Sequence, residues 1–508
     1  MNHTEAIITL DMSPVGTREK ASFGDGDRMP WVKWESLVDD DDRQRKLGTG
    51  EPGLFKLDGS YRLFPDDPYN TPYMGYYSPY LSDGDGVCPY GHIEILFSDP
   101  VTTNGLTLCF GDTMAKDFKV VWYSGNGGGS TTTKTVTGNT EQDRYIPGEF
   151  VNCSRITIDF LKTDAPYRYV KLREIVFGRK DRLALTAANI LTEFDPMCNS
   201  LSIGTLSMTA LNTDQRYNML NPDGVYHDLQ QNQRVIVREL VQDETGEEEY
   251  QMGKYYLESW ENSNSATAKL TAVDVIGLFD STPYDYAAIL IPPKSTPAKE
   301  LFQLMFATAE FDGYTIDDEI GTTPLSGMLP TSGTVRTALQ HLCIATRSAL
   351  KVNRDGSVRV YRPKLDADPI PISKQISRET LTQKTSIEQI GVKWYVFPDE
   401  VENEYPKGLK TYIEKNTLIT SEEQAKEIAD YWNQYLAAYG LELSYRMVLD
   451  PKLDVGNAAE ITTAMQTQLP HLLTSLDIDL TGGFLASAKG VSNLVAATQN
   501  RLDAQRRV

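Results

Sequence analysis

The sequence is poor in the residues that most often carry chemistry. Its 508 residues hold five histidines and five cysteines. The histidines are His3, His92, His227, His341 and His471. They include no HExxH pair, and none has a partner at metal-ligand spacing. The cysteines (Cys88, Cys109, Cys153, Cys198 and Cys343) form no CxxC and are odd in number, which argues against a disulfide framework and a zinc site. They read as small buried hydrophobes. No GxSxG, no GxxxxGK[ST] and no GxGxxG opening a helix occurs, so the usual serine-hydrolase, P-loop and dinucleotide readings fall away. The glycine-rich tract 125–129 runs into Ser/Thr and a strand, so it places no helix N-terminus under a phosphate. No apolar run approaches the roughly 20 residues needed to cross a bilayer. Residues 1–13 lack the basic region and cleavage site of a signal peptide. The expectation is a cytosolically made chain with no membrane-spanning segment, no cofactor, no metal and no enzymatic activity.

Positive charge is also scarce. The net charge is −21, which argues against gripping nucleic acid through its phosphates. It is compatible with a wall that DNA passes without sticking, and equally with simple solubility.

What the chain does have is β-type patterning. The length suits about three domains. Residues 1–50 are mixed and loop-rich, with an acidic run at 39–42, and read as an N-terminal arm too polar for a core. Residues 51–180 carry short strand candidates at 92–97, 106–110, 118–122, 155–160 and 169–177, separated by turn signals, which indicates a β-sandwich of the jelly-roll kind. Residues 181–290 form another β-rich unit. It ends at 252–280 in a hairpin whose second strand runs through Ala266, Ala268, Leu270 and Ala272 into Asp274 and a short apolar run. Residues 291–365 read as a small α+β domain. A helix starts with Pro297 at its first position, a second spans about 334–350, and Asn353-Arg-Asp-Gly356 turns a hairpin between 350–352 and 358–361. Residues 366–490 follow a Pro/Asp-rich linker at 363–371. They carry strands at 389–397, 408–412, 441–448, 458–462 and 472–480. They also carry one helix, opened by a capping box at Thr420-Ser-Glu-Glu423 and stopped at Gly440. Residues 491–508 read as a C-terminal helix or tail.

Two clusters stand out as candidate sites. Ser82-Asp-Gly-Asp-Gly86 offers Asp83 and Asp85 to a calcium ion, but lacks the closing Glu of an EF-hand loop and reads equally as a tight acidic turn, as do Asp25 and Asp27. The tyrosines Tyr61, Tyr69, Tyr73, Tyr76, Tyr77, Tyr80 and Tyr90 are dense. Tyr73, Tyr76, Tyr77 and Tyr80 are the candidates for stacking on a glycan or for packing in a loop layer or subunit interface.

Several motifs, in this order, resemble tail-tip (baseplate hub) proteins of bacteriophages infecting Gram-positive bacteria. Leu57-Asp-Gly-Ser60, Gly75-Tyr-Tyr-Ser78 and Leu81-Ser-Asp-Gly-Asp-Gly86 resemble their lead-in. Gly105-Leu-Thr-Leu-Cys-Phe110, Phe118-Lys-Val-Val-Trp-Tyr123, Ala165-Pro-Tyr-Arg-Tyr-Val170 and Ile175-Val-Phe-Gly178 are similar to a galactose-binding-like (discoidin-type) jelly roll carried by such proteins. Leu201-Ser-Ile-Gly-Thr-Leu-Ser-Met208, Asn221-Pro-Asp-Gly224 and Leu229-Gln-Gln-Asn-Gln-Arg-Val235 resemble a first hub barrel, which 252–280 ends. Leu453-Asp-Val-Gly456 with Ala458 to Ile461 resembles a second. The resemblance implies a mainly β fold with α+β parts: two hub β-barrels (181–290 and 366–490), a galactose-binding-like β-sandwich and a small helix-hairpin domain. It implies a homotrimer whose two barrels per subunit adapt a sixfold tail tube to a threefold tip around a DNA channel. The implied partners are the distal tail protein, the tail tube and tape-measure proteins, and tail fibre or receptor-binding proteins. The implied location is the virion, after synthesis in the host cytoplasm. A carbohydrate-binding adhesin and a tail-associated cell-wall hydrolase stand as the alternatives.

Overall fold

The computed structural model describes residues 3–24, 26–30, 32, 34–38, 47, 50–57, 61–63, 75–125, 129–243, 246–262, 266–285, 295–329, 332–363, 368–383, 390–396, 401–406, 411–413 and 416–492. The acidic run at 39–42, Asp25, Tyr69, Tyr73 and the tail beyond Ser492 lie outside them. The fold is mainly β with α+β parts. It divides into two compact units: residues 1–8, 183–218 and 234–508, and residues 9–182 and 219–233.

In the first unit, two strand groups far apart in sequence have the same topology. One group comprises Leu185–Glu193, Thr205–Leu211, Arg234–Asp243, Gly246–Glu261 and Thr267–Val273. The other comprises Thr380–Gln383, Leu441–Val448, Ala458–Thr462, Gln468–Asp479 and Leu485–Ser492. In each group the spatial order is third, fourth, fifth, second, first. Each of these neighbouring pairs is antiparallel. A register shift falls at the same place in both, between Leu257 and Ser259 and between Leu473 and Ser475. Such a bulge adds one residue to one strand and sharpens its bend.

The two groups are one sheet. Leu185–Glu193 of the first pairs antiparallel with Gln468–Asp479 of the second, with Ile190 opposite Ile478 and Glu193 opposite Ser475. Alternation puts Ile190, Leu206, Leu270, Leu443, Leu476 and Ile478 inside, each no more than 3% exposed. His471 is buried on this sheet. Its Nδ1 lies 3.2 Å from the Leu469 carbonyl and its Nε2 2.8 Å from the Tyr445 hydroxyl. With both ring nitrogens so placed, Nδ1–H donates to the carbonyl and Nε2 accepts from the tyrosine, which suits the neutral imidazole.

The helical part shares a separate core. The capping residue of Val275–Ser281 is Asp274, which accepts from the Ile276 amide at 2.9 Å. The apolar run after Asp274 is therefore a helix. Ala298–Thr308 starts one residue after the expected position, with Pro297 as its capping residue. Val335–Thr346 ends where Arg347 turns left-handed, shorter than expected because Ala349–Val352 is already a strand. The cap of Glu422–Ala438 is Ser421, one residue beyond the expected Thr420. Ser421 Oγ accepts from the Gln424 amide, and Gln424 reaches back to the Thr420 amide, both at 3.1 Å. The stripe Ala425, Ile428, Ala429 and Trp432 packs with Phe302, Leu339 and Val358. This helix therefore completes the α+β core begun at 291–365 and does not sit against the second strand group alone.

The second unit holds a seven-stranded sheet running Tyr76–Tyr77, Lys171–Val176, His92–Phe110, Asp143–Thr163, Ala115–Ser124 and Thr131–Val136, with Ala21–Phe23 also on His92–Phe110. The strands expected separately at 92–97 and 106–110 are two arms of one strand. Register shifts between Leu96 and Gly105 bend it around Pro100. The sheet can thus fold over its own core. Residues expected to form a polar arm contribute to that core: Val32, Trp34 and Leu37 are buried in it, and Trp34 stacks on Phe23 at 5.3 Å. Ion pairs hold Asp11, Arg18 and Glu51. Arg18, almost fully buried, bridges Asp11 at 2.7 Å and Glu174 at 2.6 Å. Lys171, with no exposed side-chain surface, bonds Glu51 at 2.6 Å and Asp112 at 3.1 Å, while Tyr61 donates to Asp112 at 3.0 Å. Burial pushes the Glu51 carboxyl up, against the pull of Lys171.

Two consequences can be measured. Burial pushes the His471 imidazole down from 6.5 to about 4. The folded state therefore binds its proton less readily than the unfolded chain. The stability this group contributes is present above pH 6.5 and lost as pH falls through 4, about 3 kcal/mol in all. Denaturant unfolding of the full chain is expected to show wild type losing that much relative to His471→Gln between pH 7 and pH 4; parallel profiles would contradict it. Lys171→Met leaves Glu51 buried without its partner and is expected to cost about 4 kcal/mol, most of it regained on adding Glu51→Leu. Equal stability of the single and double variants would contradict it.

Candidate functional site

The candidate tyrosines divide by burial. Tyr76 and Tyr77 are fully buried, which corrects their reading as sugar-stacking side chains. Alternation along this two-residue strand does not expose one of them, because the segment is covered on both faces. Tyr76 stacks on Trp34 at 5.8 Å and donates to the Asp27 carbonyl at 2.8 Å. Tyr77 lies against Tyr169 and under the Lys171 ammonium, 5.4 Å from its ring centre. Burial pushes both phenols up. Tyr80 is 59% exposed and packs on Tyr90, itself 57% exposed, at 5.5 Å. Of the four candidates, Tyr80 alone offers an accessible ring among the described residues.

Asp83 and Asp85 form a turn. Asp83 Oδ1 accepts from the amides of Asp85 at 2.9 Å and Val87 at 2.8 Å. That is the backbone-capping use of aspartate. No group of three or more His, Cys, Asp or Glu side chains disposed to hold a metal ion occurs among the described residues.

The first unit has a cleft that patterning did not point to. Thr192 lines it from Leu185–Glu193, Asp195, Leu201 and Asp274 from segments that connect to the first group's strands, Leu350 and Lys351 from Ala349–Val352, and Val455 from the segment before Ala458–Thr462. Burial pushes the Asp274 carboxyl up to about 7 and also raises that of Asp195. Two carboxyls of this kind in one cleft invite an acid–base reading. Their hydrogen bonds point elsewhere. Asp274 accepts from Ile276 at 2.9 Å and Gly204 at 2.8 Å, one amide on each oxygen. Asp195 accepts from Met197 at 2.9 Å and Ser200 at 3.1 Å, again one on each. All four oxygens hold backbone together where three parts of the unit meet. Lys351 and Asp454 add an ion pair at 3.3 Å, nearly buried. The signal for Asp274 was present in the sequence, since an aspartate before an apolar run is a helix-start pattern.

The sheet offers another candidate surface. Its end strand, Thr380–Gln383, pairs with Leu441–Val448 and with no other strand among the described residues. Leu381 on it is 46% exposed. An end strand with an exposed apolar residue is a template for pairing with another chain.

No family model matches the sequence, and no curated protein matches it. Solved structures of tail proteins, two of them from prophages, are similar to it. A tail protein from Neisseria meningitidis MC58 is 10% identical over 62% of this chain and 94% of its own, at a TM-score of 0.44. The 43 kDa tail protein of prophage MuSo2 from Shewanella oneidensis is 12% identical over 62% and 95%, at 0.40. Prophage tail protein gp18 from Listeria monocytogenes EGD-e is 7% identical over 65% and 96%, at 0.39.

Proposed function

We propose that the chain is a structural subunit of a bacteriophage tail tip, a homotrimeric baseplate hub around a channel for DNA. One observation carries the reading: a single chain presents two strand groups of identical order, each with a bulge at the same place, within one sheet. A subunit that must offer two like positions to a sixfold tube needs such a duplication. Three copies then supply six positions, and cyclic closure satisfies strands that would otherwise end the sheet. The order of the hub-like motifs in the sequence supports the same reading.

The net charge of −21 suits a passage through which DNA moves without being held. Its partners would be the distal tail protein, tail tube, tape-measure and fibre or receptor-binding proteins, and its location the virion. The reading is non-enzymatic, supported by the carboxylates of the cleft being engaged by backbone amides. The exposed Tyr80–Tyr90 pair supports a second reading, a saccharide-binding adhesin, at that surface alone.

Mass photometry of the purified full chain, alone and with its tail neighbours, is expected to give particles of three times the chain mass, and proteomics of purified virions is expected to contain it. A monomer under all these conditions, absent from virions, would sink the proposal. A zymogram with the purified chain is expected to show no clearing of peptidoglycan; a cleared band would establish the hydrolase instead.

A further inference from the structure

The second unit buries an amine between two carboxyls. Lys171 starts the strand Lys171–Val176 and has no exposed side-chain surface. Its Nζ lies 2.6 Å from Glu51 Oε2 and 3.1 Å from Asp112 Oδ1. The centre of the Tyr77 ring is 5.4 Å from the same nitrogen. Such surroundings penalise ions and favour the neutral forms of amine and acid.

Backbone bonds hold each partner in place. The Gly111 amide donates to the Lys171 carbonyl at 2.9 Å, and the Lys171 amide donates to the Thr113 carbonyl at 3.3 Å. These two bonds flank Asp112 and set it against the lysine. Glu51 is fixed by its other oxygen, Oε1, which accepts from the Tyr169 amide at 3.1 Å. Asp112 Oδ2 accepts from the Tyr61 hydroxyl at 3.0 Å.

The two carboxyls differ. Glu51 has no exposed side-chain surface, and burial raises its carboxyl, which suits it to take a proton and pass it on. Asp112 keeps 24% of its side-chain surface exposed, so a water released there has a way out. The Tyr61 hydroxyl on Oδ2 stabilises negative charge on that oxygen when Cγ becomes tetrahedral, as an oxyanion donor does.

We infer that Lys171 and Asp112 condense into an amide bond, with Glu51 carrying the protons. Glu51 takes one proton from the Lys171 ammonium and passes it to Asp112 Oδ1. The neutral amine attacks Asp112 Cγ, and the C–N bond forms. Glu51 takes a second proton from Nζ and gives it to the Oδ1 hydroxyl, which leaves as water when its C–O bond breaks. Nζ keeps one proton, Oδ2 becomes the amide oxygen, and no oxidant or other reagent is consumed. Holding the amine against the acid replaces a bimolecular encounter with an intramolecular one. The product exchanges a buried ion pair for a neutral amide, which removes the cost of keeping two charges out of water. The ion pair is the open state. Lys171→Met with Glu51→Leu cannot close, so its stability is to be compared with that of the open chain. The bond does not depend on the hub reading.

The test is the intact mass of the purified full chain after prolonged incubation at neutral pH. A mass one water below that of the sequence is expected. Tandem mass spectrometry of a tryptic digest is expected to give a branched peptide joining Asp112 to Lys171. Lys171→Arg and Asp112→Ala are expected to keep their full masses. Glu51→Gln, shown to be folded by circular dichroism, is expected to close at least about tenfold more slowly than wild type. A wild-type chain at full mass overturns the proposal whatever the variants do. So does a lost water traced to a succinimide at an Asp-Gly step such as Asp355-Gly356, which joins no two segments. A branch at Glu51 in place of Asp112, or a Glu51→Gln variant that closes as fast as wild type, overturns the roles given to the two carboxyls.

Discussion

One strand pairing holds the first unit's architecture: Leu185–Glu193 against Gln468–Asp479, joined also by the Asn189 amide on the Asp477 carboxylate at 2.6 Å. Nearly the whole unit lies between these partners in sequence. Without the pairing, each strand group would end in an open edge and expose its share of Ile190, Leu476 and Ile478. With it, the Gln468–Asp479 strand changes partner along its length. Its start serves Ala458–Thr462, its end serves the other group, and the bulge at Thr474 sits where the change occurs. The Thr474 carbonyl is taken by the Phe194 amide at 2.8 Å. The bulge is therefore the corner at which two groups become one sheet.

Buried charge plays a different part in the second unit. Lys171 with Glu51 and Asp112, and Arg18 with Asp11 and Glu174, tie positions far apart in the sequence to the sheet. Such pairs add little net stability over apolar replacements, but removing one partner is costly. They therefore specify where Asp11, Arg18 and Glu51 lie more than they strengthen the unit. The same packing takes Tyr76 and Tyr77 out of contention as ligand-binding rings. It leaves exposed aromatic surface at Tyr80 and Tyr90.

Local patterns in the sequence were legible where short-range chemistry decides the outcome. The Asn353–Gly356 turn, the strand Ala458–Thr462 and the helix stopped before Gly440 follow from turn and capping residues. Long-range features were not. The bend in His92–Phe110 hid behind Pro100, which reads as a loop until the register shifts around it are seen. Leu485–Ser492 is too rich in Ala, Ser and Gly to read as a strand. It becomes one because its small residues face bulky neighbours, Ala488 opposite Leu476 and Gly490 opposite Leu473. The equivalence of the two groups is carried by register; matched at their bulges, Leu206-Ser207, Leu257, Ser259 and Val273 fall on Leu443-Ser444, Leu473, Ser475 and Val491, too scattered to read as a repeat in the sequence. Of the candidate site, Asp83 and Asp85 were legible as a turn, whereas the partners of Tyr76 and Tyr77 come from distant segments that spacing does not reveal.

The chain carries the same five-strand order twice and fuses the two groups edge to edge. Cryo-electron microscopy of the parent particle's tail tip tests the hub reading most directly. Three copies of the chain are expected there, their six strand groups alternating around one lumen. A tip in which the chain is present as one copy, or in which its two strand groups occupy unrelated positions, would contradict it.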